Sequence, residues 1–345
     1  MPDRLSIRSL RHTSEDISVA PLMSIPLLLR ERGLDAATVL ERIGVEPTVF
    51  DDAANRLPFD VAGRLVAECA AVTACPHLGL LLGKRSGASA LGVVAGFARH
   101  ADTVGAGLRM LLAHLHLHDR GGVAALTERS DSAAELSYVI YHPNTPGTAH
   151  MMDASAAVMC SIMRELCGPR WAPSEVMLAR RRPQRVAPYR EFFRAPIRFD
   201  APHTALAFPA ECLDRPVYGR DPEARVRLAA LAAELSAATP LSATEAVIRA
   251  LSCMIIAIPP SSGRLAQVLG MKPRRLRERL EAEGTSVKQL LGDVRYELAR
   301  QLLEETRMPI GEISASLHYS KPGAFSRAFR EWSGKTPRQW RQGAR

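Results

Sequence analysis

No apolar run in this sequence is long enough to cross a bilayer. The longest nearly apolar stretches, residues 154–163 and 253–260, fall well short of the roughly 20 residues a spanning helix needs. The opening residues MPDRLSIRSLRHTSEDI lack a continuous hydrophobic segment with a small-residue cleavage site, so no secretory signal is expected. A cytoplasmic chain with no membrane partner follows as the expectation. No C-x-x-C pair occurs either. The six cysteines, Cys69, Cys75, Cys160, Cys167, Cys212 and Cys253, are scattered through 345 residues and read as reduced thiols rather than a disulfide framework. Absent too are a phosphate-cradling G-x-x-x-x-G-K, an H-E-x-x-H helix and a G-x-S-x-G elbow. The chain is therefore expected to be no enzyme, and no cofactor is implied.

Acidic residues are scarce in the last quarter. Residues 260–345 carry 17 Lys and Arg against 9 Asp and Glu, a surplus of +8, whereas the preceding 259 residues carry 28 against 27, or +1. A basic segment joined to a neutral one is the electrostatic footprint of a nucleic-acid-binding module.

Helical periodicity dominates the first 120 residues. Val61, Leu65, Cys69 and Val72 form one stripe, and Val104, Leu108, Leu111, Leu112 and Leu115 another, opened by Asp102 or Thr103 as N-cap. The alternating segments 122–129 and 134–142, separated by a turn-prone SDSA, predict a β-hairpin. A helix over about 149–167 follows, and the apolar runs 175–179 and 203–209 can extend the same sheet. These patterns predict an α+β domain over residues 18–215. An Ala-rich linker helix lies within 216–240, and an all-α domain fills 241–345.

The stretch AHLHLHD, residues 113–119, raises the question of a metal site. On a strand His114, His116 and His118 would share one face, whereas on a helix His114 and His118 alone would, one turn apart. The stripe running through Leu115 favours a helix end and solvated or hydrogen-bonded histidines. The alternative is a metal-responsive regulator, or a metal-dependent enzyme with a DNA-binding tail, that uses the His114/His118 region with Asp119, His142 or His150 as further ligands. Zinc usually needs three or four such groups, and no metal is assigned.

The last hundred residues repeat one pattern. Residues 264–284 read as a helix, a break at Gly270, a Pro at the first turn of a new helix, and a basic amphipathic helix with Leu276 and Leu280 inward. Residues 309–334 repeat it, with a break at His318 to Ser320, then Pro322, and Phe325 and Phe329 inward. Each is a helix-turn-helix pattern, whose second helix can enter a DNA major groove. Between them, residues 286–306 form one continuous amphipathic helix. Its 21 residues span about 31 Å at 1.5 Å each, close to the roughly 34 Å between successive major-groove faces on one side of B-DNA.

The segment AFSRAFREWSGKTPRQWR (324–341) resembles the signature of AraC/XylS transcription regulators, with Phe325, Arg327, Phe329, Gly334, Thr336, Pro337, Trp340 and Arg341 at matching spacings. The stretch from Leu269, with Arg295 and Ala299, is similar to that family's first helix-turn-helix and connecting helix. More loosely, residues 20–215 resemble the arabinose-binding-like regulatory domain that precedes it in one branch, a resemblance carried by residues 77–111 and 192–217. Three positions depart from the pattern. Lys272 replaces a usual Ser N-cap, Glu278 a usual basic residue, and His318 a usual Gly.

On the first recognition helix the candidate DNA contacts are Arg274, Arg275, Arg277 and Glu278; on the second, Ser320, Lys321, Ser326, Arg327 and Arg330. Arg is the commonest side chain for bidentate reading of guanine, and a carboxylate can accept from cytosine N4. Pro337, Trp340 and Trp332 are expected in the core. The resemblance implies a regulator of transcription, more often an activator working with RNA polymerase. It further implies a homodimer that binds double-stranded DNA and responds to a small molecule of unknown identity.

Overall fold

A computed structural model describes residues 16–343. Residues 1–15, in which most of the segment read for a secretory signal falls, lie outside the described residues, as do 344–345. The helices are α1 (Ile25–Arg30), α2 (Ala36–Ile43), α3 (Phe59–Thr73), α4 (Leu78–Ser86), α5 (Val93–Arg99), α6 (Val104–His114), α7 (Thr148–Cys167), α8 (Ala187–Phe193), α9 (Pro222–Ala238), α10 (Ala243–Ala257), α11 (Ser262–Val268), α12 (Pro273–Ala282), α13 (Val287–Glu305), α14 (Ile310–Ser316), α15 (Pro322–Ser333) and α16 (Pro337–Gly343). The strands are β1 (Asp16–Ser18), β2 (Arg56–Pro58), β3 (Gly122–Ser130), β4 (Ala133–Ile140), β5 (Glu175–Met177), β6 (Ile197–Arg198) and β7 (Thr204–Pro209).

β1 and β2 form a small ribbon, while the other five strands form one sheet in the order β3-β4-β7-β5-β6. All neighbours in that sheet are antiparallel except β5 and β6. Its hairpin matches the predicted segments, with Val123 opposite Val139 and Leu126 opposite Leu136. Because side chains alternate faces along a strand, this register sorts the hairpin into two sets. Ala124, Leu136, Tyr138 and Ile140 point into the first apolar core, with α3, α4, α6 and α7. Val123 and Val139 point the other way, into the core of the C-terminal helices. The sheet is thus a shared wall between two cores, and a one-residue slip would exchange both sets.

The tightest crossing in the first core is α4 on α7. A Cβ on Gly79 would sit 1.9 Å from the His150 carbonyl oxygen, and one on Gly83 2.3 Å from that of Ala154. Small residues at this i, i+4 spacing let the two backbones touch. Strand β3 is started by Asp119, whose Oδ1 accepts the amides of Gly121 (2.8 Å) and Gly122 (2.9 Å). Its Oδ2 accepts the Tyr138 hydroxyl.

The Ala-rich segment is a helix, α9, started by Asp221, whose side chain accepts from the amides of Glu223 and Ala224, with Pro222 at the first turn. It lies against α5: Leu228 and Leu235 pack on the first core, Ala232 is buried, and Arg225 pairs with Asp102. This linker is therefore docked rather than free.

Two polar clamps join the C-terminal helices to the sheet. Arg249 of α10 is buried and donates to the carbonyls of Asp119 (3.1 Å) and Gly122 (3.0 Å) and to the Tyr141 hydroxyl (3.0 Å). On α13, Glu297 accepts the Asn144 amide (3.2 Å) and Gln301 donates to the Ile140 carbonyl (2.9 Å). Arg300 donates to Glu297 (2.6 Å) and to Glu304, closing a buried network along one face of α13. Buried charges of this kind are tolerable only when fully paired.

Two substitutions test this packing. Gly83→Ala forces α4 from α7 and is expected to lower stability by about 1–3 kcal/mol, seen as a fall in the thermal midpoint. Arg249→Met leaves three buried acceptors without their donor and is expected to cost about 1–3 kcal/mol. An unchanged urea midpoint would show that the first clamp does not hold the two cores together.

Candidate nucleic-acid interface

The first helix-turn-helix unit is α11 and α12. Gly270, at φ +61°, ends α11 in the left-handed region, and Pro273 opens α12 with a pre-set φ. Lys272 sits at the N-cap without a side-chain capping bond, so the start of α12 rests on the proline alone. Leu276 and Leu280 are buried, as their spacing predicts, and Arg274, Arg275, Arg277 and Glu278 face solvent. Two pairs brace this face along the helix: Arg274 with Glu278 at 2.8 Å and Arg277 with Glu281 at 3.8 Å. Both are exposed i, i+4 pairs of the kind that contributes about 0.3–0.5 kcal/mol. Glu278, the departure from the family pattern, thus holds the Arg274 guanidinium within its own helix, and DNA must compete for that arginine. Arg279 is exposed on the same helix. It was not among the candidate contacts read from the sequence.

The second unit is α14 and α15. His318 takes the left-handed turn at φ +58° where glycine is usual, a conformation His tolerates better than most residues. Its Nε2 lies 2.9 Å from the Ile255 carbonyl oxygen; a carbonyl only accepts, so Nε2 carries the proton. The substituted residue therefore ties this turn to α10. On α15, Phe325 and Phe329 are fully buried and Arg327 and Arg330 are exposed, as are Ser320 and Lys321 in the turn that leads into it. Ser326 was expected on the exposed face but is half-buried.

Helix α13 connects the units. Its 19 residues make a rod of about 28 Å, two residues shorter than the 286–306 predicted because Ser286 caps it through the Gln289 amide and Thr306 ends it. Aromatic packing fixes the second unit to the rod. Tyr296 lies 5.6 Å from Phe329, 5.9 Å from Trp332 and 6.4 Å from Trp340, centroid to centroid. The Trp340 indole donates to Glu304 at 2.9 Å. Pro337 is buried, and Trp332 and Trp340 pack against the second core, as expected of residues that hold α16 in place.

The clamp residues on α13 were missed. Their placement on one face was legible: Glu297, Arg300, Gln301 and Glu304 recur at three- and four-residue intervals, the spacing of one helical stripe.

The histidine stretch gives a different result from the metal alternative. Helix α6 ends at His114, and residues 115–117 continue as a 3-10 turn, so His114 and His118 do not share one α-helical turn. His114 Nδ1 lies 2.8 Å from the Met110 carbonyl oxygen, and its ring stands edge-on to Phe97. His118 is buried, and burial holds its imidazole down at about 4. Asp119 is committed to the start of β3. Among the described residues, no group of three or more His, Cys, Asp or Glu side chains could hold a metal ion.

Comparison with known proteins agrees with this geometry. Residues 33–217 match the model of the arabinose-binding domain of AraC transcription regulators, N-terminal part, and residues 265–343 match a helix-turn-helix domain model. The chain is 30% identical to the ornithine utilization regulator of Pseudomonas aeruginosa over 338 residues, covering 96% of this chain and 98% of that one. It is 30% identical to the HTH-type transcriptional regulator VirS of Mycobacterium tuberculosis over 321 residues, 91% and 93% of the two chains. A solved structure of the transcriptional regulator CdpR from Pseudomonas aeruginosa aligns over 88% of this chain and 96% of that one, at 23% identity and a TM-score of 0.43. With its regulatory domain, its paired helix-turn-helix units and full-length relatives that are regulators, this chain belongs to the AraC family of DNA-binding transcription regulators.

Proposed function

We propose that the chain acts in the cytoplasm as a homodimeric, sequence-specific regulator of promoters, an activator that works with RNA polymerase. In this reading residues 241–345 read double-stranded DNA, residues 18–215 respond to a small molecule, and the helix within 216–240 joins them. The observation that carries it is a pair of exposed basic helix faces, on α12 and α15, in two helix-turn-helix units joined by one continuous helix, α13, of about 28 Å. That length is of the order of the roughly 34 Å between successive major-groove faces.

Arg274, Arg275, Arg277 and Glu278 serve the first head in this reading; Ser320, Lys321, Ser326, Arg327 and Arg330 serve the second. Most such contacts position the protein on phosphates, and fewer specify bases. The two roles separate in experiment. Loss of a phosphate contact weakens binding to every sequence and lowers the salt slope by about 1, whereas loss of a base contact costs about 1–3 kcal/mol at one position of the site.

Selection of bound sequences from a random DNA pool by the full-length protein tests the reading. Two short boxes with centres about 10–10.5 base pairs apart are expected. Repeating the selection with Arg327→Ala is expected to relax one base position or to weaken all sequences evenly. A pool that stays random with both the full chain and residues 241–345 would overturn the DNA-reading assignment.

A further inference from the structure

A broad groove of about 960 Å³ lies where α3, the N-terminus of α7 and the loop after β5 meet the end of α13. That volume suits a small-molecule site. By contrast, the void enclosed between α6, α7 and the β3–β4 hairpin measures about 90 Å³, smaller than the roughly 150 Å³ cavity that accepts benzene.

Charge in the groove is one-sided. Arg32, Arg180 and Arg185 line it, and Glu305 is the one carboxylate among its lining residues. Arg180 is held in place by buried Asp153 and by the Tyr189 hydroxyl (3.0 Å). Arg32 is oriented by the Thr73 carbonyl (3.3 Å). Arg185 is exposed and has no hydrogen bond or ion pair among the described residues. The field of these guanidiniums is felt within the groove: after burial, Arg32, Arg185 and Arg180 each push the His77 imidazole below its usual range. His150, which also lines it, is held down at about 4, first by burial and then by Arg180, and its Nδ1 is buried without a partner. Gly147 begins the 20-residue α7 here without a side-chain cap, and Gly147 and Ala149 line the groove, which places the positive end of the helix dipole at its edge.

We propose that this groove binds a small anionic effector, one that bears a carboxylate or a phosphate group. The proposal rests on the reading of residues 18–215 as the effector-responsive part and gives that effector a chemical class. Guanidinium forks and backbone amides are the donors that recognise such oxyanions. The groove also touches the DNA-reading rod. Glu305 is the last residue of α13, and the loop that supplies Arg180 and Arg185 supplies Arg181. Arg181 donates its amide to the Glu305 carbonyl (2.6 Å) and its guanidinium to the Glu304 carbonyl (2.6 Å). A bound anion recruits the arginines on one side of this loop and repels the Glu305 carboxylate. It thereby shifts the loop's hold on the C-terminus of α13.

The test uses the full chain at fixed ionic strength, with succinate as the carboxylate probe, pyrophosphate as the phosphate probe and chloride as the reference. At least one probe is expected to raise the thermal midpoint by several degrees. Arg185→Gln and Arg32→Gln are each expected to remove more than half of that rise, while Arg182→Gln, exposed on the same loop but outside the groove, retains it. The probe that responds identifies the oxyanion. No rise with either probe, or an equal rise in all three variants, overturns the proposal. Selection of DNA boxes by the same protein preparation is independent of this result, so failure here with boxes recovered removes the effector class and leaves the DNA-reading assignment standing.

Discussion

Helix α13 has to satisfy three neighbours at once, and the arrangement of the molecule follows from that constraint. One face supplies Leu290, Val294, Leu298, Leu302 and Leu303 to the core of the DNA-binding helices. Its aromatic flank at Tyr296 receives the second helix-turn-helix unit and α16. A third face carries Glu297, Arg300 and Gln301 against the hairpin and the loop before α7. A helix with three committed faces cannot roll or slide without breaking one of them. The spacing of the two reading heads is therefore fixed by the same element that is anchored to the regulatory part.

Anchoring of this kind gives regulation a physical route. The polar network on α13 is buried, so pairing within it is close to all-or-none: an unpaired buried charge is costly, and a paired one holds a single geometry. The loop from β5 to α8 grips the rod's C-terminal carbonyls through Arg181. Any ligand that moves this loop changes the rod's footing rather than the recognition faces themselves. The docked α9, with Leu228 and Leu235 on the first core, leaves the shared sheet and these clamps to carry the coupling between the parts.

Much of this was legible in the sequence. The places of the hairpin and α7 follow from hydrophobic period, and those of α12, α13 and α15 also from Pro273, Ser286 and Pro322 at their starts and from Gly270 and His318 at the breaks. The buried Leu276, Leu280, Phe325 and Phe329 follow from the same periodicity. The two-faced burial of β3 and β4 was not legible. Val123 and Val139 are ordinary strand residues, and nothing local reveals that a second core lies behind them. The burial of Arg249, and of the α13 stripe to which Glu297 belongs, was equally hidden, because a charged residue on a helix normally signals solvent and these two meet partners more than a hundred residues away. The groove was invisible for the same reason: Arg32, Arg180 and Arg185 converge through tertiary packing, not through a motif.

The central claim is that α13 is a rigid spacer between two reading heads. Affinity of the full-length protein for a selected site, measured as base pairs are inserted between its two boxes, tests this most directly. A rigid rod predicts that a half-turn insertion of about five base pairs turns the second box to the far side of the duplex. Affinity then falls by at least about tenfold, the loss of one or more base contacts at about 1–3 kcal/mol each. Equal affinity at every spacing would contradict the account.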